Sequence, residues 1–378
     1  MGDIIAISEG NLKNTAMELR SDLCDQIYGN SMSLTQSRID SYVNCPLNHL
    51  LKYTINLGDI KRAEFDSPSI GSFIHGCLEN FFSSLAESGT TPETLSREER
   101  ERLTKEAAEK YLARMGEDIK ATRTAIKIKR LTRAAVPIID GLCDELTKSK
   151  FYPKFFELKI SASDDSLPDP VRIKTEGGQL VSIYGTIDRV DTCEQDGNLY
   201  VRVIDYKTGN KEFSPDDLEK GRNLQMFLYL KSILESDKKK FKERLGAENG
   251  KKIIPAGVIY VKTSLADTQI SSDSDELALE AIKNNQARDG MILEGDDITA
   301  LMGGEYVPGA SKRDKSKYRY SEEKLADLME GMEKTVAEIA DNIKSGKAQA
   351  KPDLDGKNSV CDWCEYKPIC RNVTTKKK

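Results

Sequence analysis

Apolar and polar residues alternate most regularly between Gln179 and Lys207. Val181, Ile183 and Ile187 mark one run, and Val201 and Val203 a second. Between them lies Glu194-Gln195-Asp196-Gly197-Asn198, a turn of the hairpin kind. Period-two alternation on either side of such a turn predicts two paired strands. A further strand is predicted over 155–162, and the apolar run 253–262 predicts a buried strand that completes the sheet. Elsewhere the period is helical. Ile74, Cys77, Leu78 and Phe81 form one stripe over 71–82. Leu325, Leu328, Met332, Val336, Ile339 and Ile343 form another over 321–344, which Gly346 ends. Residues 92–150 are helical and charged, with Ile128, Leu131, Ala135, Ile138 and Leu142 on one stripe and Pro137 as a kink. Ser33 to Gln36 has the form of a capping box. The helix that follows, through Ile39, Tyr42 and Val43, is interrupted at Cys45-Pro46 and resumes to Leu57. Ser214-Pro215-Asp216-Asp217 opens a helix carrying Leu224, Phe227, Leu228 and Leu230. Residues 1–30 form a lead-in, and 263–320 an irregular peripheral insertion.

Composition narrows the picture. The chain has 378 residues, 38% hydrophobic and 31% charged, as a globular domain with long exposed helices requires. No apolar run approaches the roughly 18–20 residues of a membrane helix. The start lacks a signal pattern, so the chain is read as cytoplasmic. Net charge is −5, so there is no global basic footprint. A local one is offered by Lys120, Arg123, Lys127 and Arg130 on one helical face, which suits phosphate contacts or a solvated surface equally. In such a chain the eight cysteines point away from disulfides and towards a metal or cluster.

The chemistry gathers on the hairpin. Asp188 closes the first apolar run. Asp205 and Lys207 stand two apart on the second strand and share a face with Val201 and Val203. An acid and an ammonium at the end of a buried strand need a partner, and a divalent metal would serve. An acid on one strand followed by Asp-x-Lys on the next resembles the PD-(D/E)XK nuclease superfamily. GTIDRVD (185–191) with VIDYKTG (203–209) resembles its RecB-like branch. Gly71, His75 and Glu79 match that branch's G-x-x-x-H-x-x-x-E helix, which supplies a metal-ligating histidine. Gln225 and Tyr229 match its Q-x-x-x-Y helix. Cys45-Pro46 matches its Cys-Pro helix break in placement, though the aromatic letters around it differ. Glu157 stands where the family often has a glutamate and could equally be an exposed strand residue. Asp191 is read as structural, pairing with Arg189.

Near the end, Cys361, Cys364 and Cys370 are spaced C-x2-C-x5-C and need a fourth ligand. Cys24, Cys45, Cys77, Cys143 and Cys193 are available. Cys45 lies in a motif, whereas Cys77, Cys143 and Cys193 look like small core residues. Spacing alone leaves zinc and a 4Fe-4S cluster open. One upstream cysteine with three at the far end resembles the iron-sulfur staple of AddB-type helicase-nucleases and of CRISPR-adaptation exonucleases.

The resemblance spans about 31–373 and implies a restriction-endonuclease-like α/β core, a mixed central sheet flanked by helices. It implies that the nuclease domain is 31–378, with a helical insertion near 90–150 and cluster-binding ends at 45 and 361–370. It implies a Mg²⁺- or Mn²⁺-dependent DNA exonuclease. His75, Asp188, Asp205 and the Tyr206 carbonyl would bind the metal, and Lys207 would stand beside the attacking water. Gln225 and Tyr229 would position DNA or Lys207, and Cys45, Cys361, Cys364 and Cys370 would hold the cluster. AddB/RexB-type nuclease domains, whose work is DNA-end resection alongside a helicase-nuclease partner subunit, resemble the chain most. A CRISPR-adaptation exonuclease and a non-catalytic DNA-end-binding module are the alternatives.

Overall fold

In the computed structural model the described residues are 18–58, 67–114, 122–207, 213–214, 216–248, 250–263, 288–352 and 360–370. The predicted hairpin forms. Strand β5 (Thr186–Gln195) runs antiparallel to β6 (Asn198–Lys207), with Asp196 and Gly197 turning at positive φ. They lie inside a six-stranded mixed sheet of order β2-β5-β6-β7-β8-β9. Here β2 is Tyr152–Lys159, β7 Ile253–Lys262, β8 Arg288–Leu293 and β9 Arg319–Tyr320. The β6–β7 pair is parallel, so their carboxyl ends emerge together. A smaller sheet, β1-β4-β3, joins Ser31–Leu34, Leu180–Ile183 and Val171–Lys174.

Helices cover both faces of the large sheet. On one face Val190, Val201 and Val203 pack with α8 (Gln225–Glu235), α9 (Lys239–Leu245) and α11 (Glu322–Lys344). On the other, Ile204, Tyr206 and Ile259 pack with α4 (Ser67–Ser88), α5 (Arg97–Arg114) and α6 (Thr122–Lys148). The predicted stripes face these cores. Leu131, Ala135, Ile138 and Leu142 are buried along α6, and Pro137 lies inside that helix. Cys77, Cys143 and Cys193 are buried, as expected of small apolar residues.

Four expectations change. Ser33 is not a cap: Met32 and Leu34 point inward from β1, which pairs in parallel with β4, and Thr35 precedes α2 (Gln36–Asn44) without a side-chain cap bond. The sheet does not end at 253–262. Within the expected insertion, β8 and β9 extend it, and Gly290 at φ 111 lies so close to β7 that a Cβ would collide with the Val258 carbonyl. The helix expected from Ser214 is two helices, α7 (Asp216–Glu219) and α8, because Gly221 and Asn223 between them are left-handed. Residues 18–30 are more than a lead-in. Leu19 and Glu18 bond to Gly346 and Lys347, and Lys344 pairs with Asp25 of α1 (Ser21–Tyr28) at 2.7 Å. Of the predicted basic face, Arg130 is exposed. Lys120 and the side chains of Arg123 and Lys127 lie outside the described residues. Among the described residues no helix is long and apolar enough to cross a membrane.

Candidate active site

The ladder between β5 and β6 stops at the Arg189–Ile204 pair. Beyond it the strands part, and the Tyr206 N–H donates to Asp188 Oδ2 at 2.9 Å rather than to a backbone carbonyl. This opening collects the predicted residues. His75, from α4, donates from Nε2 to the Tyr206 carbonyl at 2.9 Å, and its Nδ1 lies 3.5 Å from Asp188 Oδ2. A carbonyl only accepts, so Nε2 carries a proton, and Nδ1 is the ring nitrogen turned towards the acids. The next residues of β6 present Asp205, nearly fully buried, and Lys207, whose side chain is 43% exposed; their charged atoms are 2.8 Å apart.

Glu157 joins them. Its neighbours Phe156 and Leu158 pair with Arg189 and Ile187 of β5, which sets Glu157 against Asp188. Its φ is 47°, an unusual backbone for a glutamate within a strand. Donor atoms of His75, Glu157 and Asp188 lie within 4.8 Å of one another. The sequence left the role of Glu157 open, because the backbone twist that brings its carboxylate to the site has no letter of its own. Glu79 is one turn beyond His75 but faces Arg114 at 3.8 Å.

Electrostatics mark this opening as a place for a cation. Burial, then the charge of Asp205, pushes the Asp188 carboxyl up to about 7, against the opposing pull of His75 and the Tyr206 N–H. Burial raises Glu157 as well, with Glu79 and Asp205 adding to it. Asp205 Oδ2 is buried and receives no directed hydrogen bond despite the nearby ammonium. Three crowded carboxylates and an imidazole nitrogen are the hard and borderline donors that a divalent cation takes.

From the opposite helical layer, Tyr229 brings its hydroxyl to the Thr186 N–H, within reach of the Asp188 and Asp205 charges; burial pushes the phenol up to about 12. Gln225 Nε2 donates to that hydroxyl at 3.5 Å. Gly185 makes room, since a Cβ there would overlap the Tyr229 hydroxyl. Lys207 Nζ stands 5.6 Å from the centre of the Tyr260 ring.

Three of the cysteines gather away from this opening. Cys45 sits between α2 and α3 (Pro46–His49), half-buried, with its thiol raised by burial and influenced by Cys370 and Cys364. Asn48 Nδ2 lies 3.7 Å from Cys364 Sγ. These three cysteines pack on Leu47, Leu50, Leu51 and Tyr366. Cys361 is in the short 3₁₀ turn Val360–Trp363, three residues before Cys364. Cysteines gathered on one apolar floor, with N–H donors to sulfur, fit a thiolate-held group.

Residues 33–371 match the sequence family described as the PD-(D/E)XK nuclease superfamily. Curated relatives are named as one subunit of an ATP-dependent helicase/deoxyribonuclease. The one from Clostridium acetobutylicum is 28% identical over 363 residues, covering 92% of this chain and 30% of that protein. The one from Thermoanaerobacter sp. is 27% identical over 380 residues, covering 96% and 32%. This chain therefore spans about a third of the length of these relatives.

Proposed function

The chain belongs to the PD-(D/E)XK nuclease superfamily, and from that premise we propose that it is a divalent-metal-dependent DNA exonuclease. We take it to be the nuclease portion of an AddB-type helicase-nuclease that resects DNA ends for recombinational repair together with a partner subunit. The observation that carries this is the convergence of His75, Glu157 and Asp188 beside the Asp205–Lys207 pair. His75, Asp188 and Asp205 would hold the ion, with Glu157 added to that set and the Tyr206 carbonyl at its edge. When bound, Mg²⁺ or Mn²⁺ supplies a more acidic water and charge neutralisation at phosphorus.

The chain's own groups do the rest. Lys207, half in solvent at the mouth of the opening, orients the attacking water and stabilises the charge that develops on phosphate. The Tyr229 hydroxyl, held by Thr186 and Gln225, lies where it can position the strand or Lys207. The new P–O bond forms as the bond to the leaving sugar oxygen breaks; the attacking water gives up a proton to solvent, and the leaving oxygen takes one from it. Cys45, Cys361, Cys364 and Cys370 are proposed to hold a 4Fe-4S cluster in a structural role. The common environment of Cys45, Cys364 and Cys370 supports this.

The test is an anaerobic preparation analysed for iron and sulfide, followed by digestion of labelled single- and double-stranded DNA with and without Mn²⁺. Metal-dependent cleavage by the wild type, abolished in Asp205→Ala and Lys207→Ala with their melting curves unchanged, is expected. Either variant cutting at the wild-type rate sinks the catalytic assignment. Zinc in place of iron overturns the cluster alone.

A further inference from the structure

On the face of β5 and β6 that α4 and α6 cover, opposite to that of Asp205 and Lys207, lies a chain of charged residues with almost no contact with water. Arg189 grips Asp191 with two bonds, Nε to Oδ1 and Nη2 to Oδ2, both 2.6 Å. Asp191 Oδ2 also accepts from Arg202 Nε at 2.9 Å. Arg202 reaches Glu145 of α6 at 2.9 Å, and Glu145 accepts from Arg288 of β8 at 2.5 Å. Side-chain exposure is 0% for Arg189, Asp191 and Arg202. Such a network is costly to bury, and apolar residues of similar volume often serve stability as well or better. Its position suggests another use. Arg189 Nη1 donates to the Tyr206 hydroxyl at 3.0 Å, and its guanidinium lies over Phe82, two turns beyond His75 on α4. Tyr206 is the residue whose N–H donates to Asp188 and whose carbonyl accepts from His75 Nε2.

We infer that the buried Arg189–Asp191 pair is a positioning device for His75. It anchors the Tyr206 side chain, and the Tyr206 main chain then fixes the imidazole with Nε2 protonated and Nδ1 turned to the acids. Metal-ligating histidines commonly depend on a carbonyl or carboxylate behind the other ring nitrogen. Here that carbonyl has its own support, reaching along the same face of the sheet to α6 and β8. The consequence for metal binding rests on the function proposed above; the placement of the ring does not.

The chain has two histidines, so a nitrogen-correlated NMR spectrum of its imidazoles holds two ring systems, and His49 serves as the control. Tyr206→Phe removes the hydroxyl that Arg189 bonds and keeps the ring. In that variant the His75 nitrogens should leave the Nε2-protonated pattern for tautomer averaging while His49 stays put. Mn²⁺ titration without DNA should show the dissociation constant rising about tenfold. Arg189→Lys keeps the charge beside Asp191 but loses the two-pronged grip, and should move His75 the same way. An unchanged His75 ring in both variants overturns the inference, even if their melting points fall, because that is what a merely structural network would give. A wild type that binds no Mn²⁺ while His75 still responds to Tyr206→Phe would refute the nuclease reading and leave the positioning role standing.

Discussion

His49 shows how one side chain can set a pH limit. It is buried against Tyr42 and Tyr53, and burial, helped by the Arg38 charge, lowers it to about 4. In the unfolded chain it titrates near 6.5. Its folded pKa is depressed, so acid favours the unfolded chain. Its contribution to stability is complete above pH 6.5 and is lost as pH falls towards 4, on the order of 3 kcal/mol at most. The melting temperature should therefore drop through that window, and His49→Gln should flatten the drop. A drop of the same size in His49→Gln would assign it to other groups. Gly185 makes a different point at the same scale. Gly185→Ala should push the Tyr229 hydroxyl from its place beside Asp188 and slow cleavage 10- to 100-fold, on the order of what a 1 Å misplacement costs. Tyr229→Ala removes the clash along with the hydroxyl. The double variant should then be no slower than Tyr229→Ala alone; rates that multiply would show the two residues acting independently. Asp188, Asp205 and Lys207 were legible in the sequence because charge ends an apolar strand, and His75 was singled out only by the resemblance of its helix to the family's motif. For Glu157 the resemblance suggested a position and left the role open, because its place depends on a left-handed backbone that its neighbours impose.

At the scale of elements, long periodic stretches were legible and short ones were not. The α11 stripe and the β5–β6 hairpin repeat often enough to be read, and Ser321 caps α11 by accepting from the Lys324 N–H. Strand β1 has four residues, two of them serine, and its partner is roughly 150 residues away, so nothing local announces it. The break before α8 hides in the same way. Helical residues flank it, and the break is made by Gly221 and Asn223 at φ 77 and 56. Asn223 is held by its amide, which donates to Asp217 at 3.1 Å, and by Tyr260, which donates to its carbonyl. This turn decides where α8 begins, and so where Gln225, its first residue, faces the site. Asn223→Ala should cost about 1–2 kcal/mol from the left-handed backbone, plus the lost amide bond, and slow cleavage by shifting Gln225. Asn223→Gly keeps the backbone free and should recover most of the rate. Equal damage in the two variants would place the importance of Asn223 in its side chain and not in the turn.

Across the whole molecule, the first and last described segments are one structural unit. Leu19 bonds Gly346, Tyr42 bonds the Lys347 carbonyl at 3.3 Å, Leu47 bonds Gln349, and Tyr366 donates to the Leu57 carbonyl at 2.7 Å. Cys45, Cys364 and Cys370 pack on one small apolar cluster at this seam. A group bound there closes a loop of roughly 300 residues, and treating it as a cross-link puts its effect on the unfolded chain at no more than about 6 kcal/mol. The hydrogen bonds and the Leu47–Leu50–Tyr366 packing hold the same ends without it, so the measured effect should be smaller but global. The active site lies on the central strands and not at the seam, which separates the two roles. Cys45→Ser should lose the bound iron and lower the melting temperature of the whole domain, while the fraction that stays folded at low temperature still binds Mn²⁺ at His75 and cuts DNA. If Cys45→Ser kept its melting temperature yet lost cleavage, the cysteine centre would belong to the chemistry and not to the closure of the fold. The sheet carrying Asp188 and Asp205 predicts the first result, because its strands pair with one another and are covered on both faces by helices that do not need the seam to dock.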